Sequence, residues 1–140
     1  MGTWDIGPFD NDTAADFSYR IDKAEGPDAK AAVLLVALRE VTETGDDDFL
    51  DSDIAVEAIA SAALIAAQCP GGDPVTVSYG PKEPVPPLPA DLRPTAVAAL
   101  DRVLGPESEL KELWEESDGD QWKAVILRLR AVLAGAGADA

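Results

Sequence analysis

Between residues 12 and 24, Ala14, Phe17, Ile21 and Ala24 recur at three- and four-residue spacing while Asp16, Arg20 and Lys23 fall elsewhere. That pattern predicts an amphipathic helix with one inward face. The preceding Gly7-Pro8-Phe9-Asp10-Asn11-Asp12 is turn chemistry, and its Asp and Asn side chains suit the free amides of a first helical turn. Gly26-Pro27 breaks the chain and restarts it, predicting a second helix from about Asp28 to Thr44 that stops at Gly45. From Ala31 to Leu38 this helix is apolar on every side, so it is expected to be surrounded by other elements. A third helix, about Asp53 to Cys69 and capped by Asp51 or Ser52, is apolar through Ile54, Ala58, Ile59, Ala62, Ile65 and Ala66. Its polar residues Asp53, Glu57, Ser61 and Gln68 lie within about 80° of one another on a helical wheel, leaving one narrow stripe to meet water or a ligand. The second and third helices are expected at the heart of the fold.

From Pro70 to Leu92 the pattern changes, with prolines at 70, 74, 81, 84, 86, 87 and 89 and glycines at 71, 72 and 80. No helix survives that density of breakers. The alternation Val75-Thr76-Val77-Ser78-Tyr79 would suit a short strand, but without a partner strand the segment reads as an extended crossover loop. Helical spacing resumes at about Arg93–Leu104, with Val97, Leu100, Val103 and Leu104 as the buried edge. It continues at about Glu107–Glu116, with Leu110, Leu113 and Trp114 inward. A last helix follows Ser117-Asp118-Gly119 with Trp122, Val125, Ile126, Leu129, Val132 and Leu133 on one side, and residues 134–140 are expected to fray. The expected architecture is all-α, an orthogonal bundle of five or six helices with a long proline-rich crossover loop over 70–92. At 140 residues it forms a single helical domain, 1–140.

Charge narrows the function classes. The formal net charge is −16 and histidine is absent. Such acidity opposes direct nucleic-acid binding, which needs clustered Lys and Arg, and disfavours an anionic lipid surface. The acidity is uneven, with 15 acids against 4 bases in residues 1–70 and 12 against 7 thereafter. The longest apolar runs, 31–38 and 62–67, are far short of the roughly 20 residues of a membrane span. One cysteine, Cys69, forms no intramolecular disulfide, and Met1 to Asp5 lacks the features of a secretory signal, so a cytoplasmic location is the expectation.

The opening Trp4-Asp5-Ile6-Gly7-Pro8-Phe9-Asp10-Asn11-Asp12, with Ser108-Glu109-Leu110-Lys111-Glu112-Leu113-Trp114-Glu115-Glu116-Ser117 and the later Trp122, resembles the two ends of the bacterial family called domain of unknown function 4259. The resemblance spans essentially the whole chain and implies a helical fold of similar size. Asp5 stands where the family more often shows Gly, and Phe17 where Trp is frequent. No activity is assigned to the family, so the resemblance implies no site residues.

The candidate sites follow from the residues themselves. Trp4, Asp5, Phe9, Asp10 and Asp12 combine aromatics with acids beside a helix start. They read either as a recognition edge or as an aromatic staple with a helix cap. Asp46, Asp47 and Asp48 form an acidic loop without the ligand spacing, central Gly or closing Glu of a calcium hand, so no metal site and no cofactor are expected. The absence of His removes every His-dependent triad, Cys69 reads as a buried structural thiol, and no phosphate-binding glycine motif occurs. The expected function is therefore a non-catalytic acidic binding protein for a basic protein partner, with an inhibitor or immunity-type factor as its natural form. The alternative is a small-molecule or metal-binding domain using Glu57 and Ser61 on the polar stripe of the third helix.

Overall fold

A computed structural model describes residues 12–45, 47–69, 72, 85, 87–116 and 119–138. Among them are six helices: α1 (Asp12–Lys23), α2 (Pro27–Thr42), α3 (Ser52–Ala67), α4 (Leu92–Val103), α5 (Glu109–Glu115) and α6 (Gly119–Ala138). The all-α expectation holds, and the helix boundaries fall within a residue or two of the sequence reading. The exception is the carboxyl end, where α6 continues to Ala138, past the Ala134 at which fraying is expected. The alternating segment 75–79, read above as part of an extended loop, and most of the proline-rich crossover lie outside the described residues.

Helix α3 is the centre of the bundle. It packs against α1, α2, α4, α5 and α6, and its residues from Ala58 through Ala66 are all buried. Alanine makes this possible, since its methyl lets neighbouring backbones come close on several sides at once while keeping the highest helix propensity. Asp51 caps the helix, its side chain accepting from the Asp53 amide at 2.9 Å.

Helix α2 is a correction to the sequence reading. Leu34, Ala37, Leu38 and Val41 face the core, but Val36 is 58% exposed and Val33 and Leu35 are only partly covered. The helix packs on α1, α3 and α4, which occupy only part of its circumference, so an apolar run did not translate into enclosure. Leu113 is likewise outward, because in so short a helix Leu110 and Trp114, four residues apart, take the inward face. Trp114 in turn stacks on Trp122 of α6, with centroids 6.5 Å apart and planes at 9°.

Two glycines are dictated by backbone geometry. Gly26 turns the chain from α1 into α2 at φ +89°, in the left-handed region that side-chain-bearing residues avoid. At Gly72 a Cβ would lie 1.7 Å from the carbonyl oxygen of Ala66, so only glycine lets the chain fold back over the end of α3. Nearby, the Gln68 side chain accepts from the Leu88 amide at 2.8 Å and donates to the Val85 carbonyl at 3.4 Å, pinning the last part of the crossover to the bundle. Lys30, buried in α2, donates to the Ile21 carbonyl at 2.8 Å and satisfies a last-turn acceptor of α1.

Candidate functional site

The turn leaving α2 carries the acidic loop, and the structure shows what fixes its backbone. Arg102, in the last turn of α4 and only 8% exposed, sends its guanidinium under the loop. Its Nε donates to the Thr44 carbonyl (3.0 Å), Nη2 to those of Gly45 (3.1 Å) and Asp48 (2.8 Å), and Nη1 to that of Pro106 (2.6 Å). The planar fork is suited to this, because its donors diverge toward acceptors on two different segments. The Asp48 amide closes the turn onto the Gly45 carbonyl at 2.9 Å.

The loop is tied a second time by backbone pairing. Leu50, fully buried, donates to Glu107 (2.7 Å) and accepts from Glu109 (3.0 Å), an isolated parallel bridge with Ser108. The Ser52 amide donates to Glu109 Oε1 at 2.8 Å, and the Ser108 hydroxyl caps α5. With the backbone held from beneath, Asp47 and Asp48 are exposed and Phe49 between them and Leu50 is 54% exposed. Thr13 of α1 donates to Asp53 Oδ1 at 3.4 Å, which sets the start of α1 beside the start of α3, close in sequence to this loop.

The remaining predicted residues fare differently. Trp4, Asp5, Phe9, Asp10 and Asp46 lie outside the described residues, as does the side chain of Asp12, whose backbone begins α1. Glu57 and Ser61 do not form the expected open stripe. Ser61 is 0% exposed, and its hydroxyl donates to the main-chain carbonyl of Glu57 at 3.0 Å instead of its carboxylate. That bond is the common way a helical serine satisfies itself one turn back. The Glu57 carboxylate meets Arg20 at 2.6 Å, an ion pair bracing α1 against α3, while Arg20 also lies over the Phe17 ring at 5.1 Å. The stripe is interrupted at Ser61, where α3 is surrounded, and meets solvent at Asp53 and Gln68 and in part at Glu57.

Cys69 is buried and its thiol donates to the Ile65 carbonyl at 3.4 Å, in keeping with a structural role. Next to Arg102 on α4, Asp101 is bound by Arg130 of α6 through Nε (2.6 Å) and Nη2 (3.3 Å), and these bonds raise the guanidinium pKa above its ordinary value. Among the described residues no three His, Cys, Asp or Glu side chains converge as a metal site, and no helix is long and apolar enough to cross a membrane.

Sequence reasoning missed Arg102. The available signal was an arginine in the last turn of a helix ending at Gly105-Pro106, where unpaired carbonyls collect. No curated protein and no solved structure matches the chain. A family model does so over residues 2–125, nearly the full length, and the chain belongs to the family described as domain of unknown function (DUF4259).

Proposed function

We propose that this chain is a non-catalytic binding protein whose partner is a basic protein, met at the loop of Asp46, Asp47 and Asp48, and that it acts as an inhibitor or immunity-type factor. The observation carrying this reading is the support beneath that loop. Arg102 and the Leu50 bridge hold its backbone while Asp47, Phe49 and Asp48 remain exposed. A loop already ordered in the free protein pays less conformational entropy on association, and exposed carboxylates with an aromatic directly after them suit Lys- and Arg-rich surfaces. The uneven charge, with most of the net −16 in the first 70 residues, would steer such a partner toward the same half of the molecule. Nucleic acid and anionic membranes are disfavoured by the same field.

The experiment is affinity purification of the tagged chain at low and high salt, with the double variant Asp47→Lys/Asp48→Lys beside a control, Asp28→Lys. Asp28 opens α2, whose loop-bearing end is roughly 20 Å away at 1.5 Å per residue, about two Debye lengths at 0.1 M salt. The expected result is a discrete basic protein retained by the wild type and the control, released by salt, and lost in the double variant. Equal retention by all three chains would remove the loop from the reading.

A further inference from the structure

We infer that the loop residues 44–45 and 47–50 and the 106–109 connection form a single latch, closed by Arg102, that opens as a unit while the helices of the bundle stay folded. The bonds that close it are few and interdependent. One guanidinium joins three carbonyls of the first segment, at Thr44, Gly45 and Asp48, to one carbonyl of the second, at Pro106. The backbone pairing of Leu50 with Glu107 and Glu109, and the bond from the Ser52 amide to Glu109 Oε1, both require the second segment to sit where the Pro106 contact places it. Losing one bond therefore weakens the others, which is the condition for opening together.

Strain works in the opposite direction within the same segment. Glu107 has φ +54°, the left-handed region that costs a residue bearing a Cβ, and it lies directly between Pro106 and the bridge at Ser108. The buried Leu50 side chain sets the opening above simple fraying, since it must leave the core for the bridge to part. The helices make no comparable demand, because their own bonds are internal and α3 packs on five neighbours. The inference concerns the loop's motion and stands whether or not a basic protein binds there.

Native-state amide hydrogen exchange tests it on the full chain and on two variants. The reporters are the amides of Asp48, Leu50, Ser52 and Glu109, with Ile59 and Leu64 of α3 as references. In the wild type the four reporters are expected to share one opening constant, larger than that of the references. Arg102→Lys keeps the charge but offers one ammonium in place of a fork spanning two segments, and should speed all four by about 10- to 100-fold with the references unchanged. Glu107→Gly relieves the left-handed strain and should slow all four by about 2- to 5-fold. Reporters that exchange with unrelated constants, or that track the references in every variant, would overturn the latch. If Arg102→Lys fails to fold, Glu107→Gly decides alone: uniform slowing of the four supports the inference, and any other pattern overturns it.

Discussion

Replacing Ala60 by leucine would test the packing on which every other feature rests. Ala60 is fully buried in the middle of α3, with Ile59 before it and Ser61 after it also buried, so an isobutyl group has no open face to enter. Overpacking of this kind costs about 1–3 kcal/mol, and burial on all sides of α3 puts Ala60→Leu toward the upper end. For 140 residues the unfolding entropy is about 0.3 kcal/mol/K, so a loss of about 3 kcal/mol lowers Tm by about 10 °C. Ala124→Leu, on the exposed side of α6, provides the control and should stay within about 0.5 kcal/mol of wild type. Circular dichroism melts and urea titrations of both variants supply the values. If Ala60→Leu melted with the control, α3 would not be the crowded centre described above.

Two further outcomes follow from individual contacts. Ser61→Ala should change stability by no more than about 0.5 kcal/mol, because the Glu57 carbonyl keeps its helical bond and alanine favours the helix; a larger loss in urea titration would restore a special role for that hydroxyl. Cys69 should react with a thiol reagent only at the rate of unfolding, and rapid labelling of the folded protein would contradict its burial.

The helices were legible because each carries its own punctuation. Pro27 opens α2, Asp51 caps α3, and Phe17 and Ile21 mark the inward face of α1. Enclosure was not legible in the same way. The runs of α2 and α3 look alike in sequence, yet Val36 is exposed while Ala60 is buried, since the number of neighbours around a helix is a property of the whole arrangement. The same limit misplaced Ser61, whose wheel position is polar only if that side of α3 meets water.

The acidic loop was visible as charge, but what holds it was not. Thr44, Gly45, Asp48 and Pro106 contribute main-chain carbonyls, which carry no side-chain signature, and their common donor Arg102 comes from 54 or more residues along the chain from the loop. Long-range contacts of a buried arginine leave no periodicity to read. Local pattern thus gave the elements and the charge, and tertiary contact gave the bonds of Arg102 beneath the loop.

The most direct measurement is an NMR titration of the full chain with a short oligolysine as the basic probe, at about 0.1 M salt where surface charges more than 10 Å away are largely screened. Amide shifts are expected to concentrate at residues 44–51 and 107–109 and to vanish in Asp47→Lys/Asp48→Lys. Shifts spread evenly over the acidic residues of all six helices, or unchanged by that double substitution, would contradict a preformed acidic binding loop.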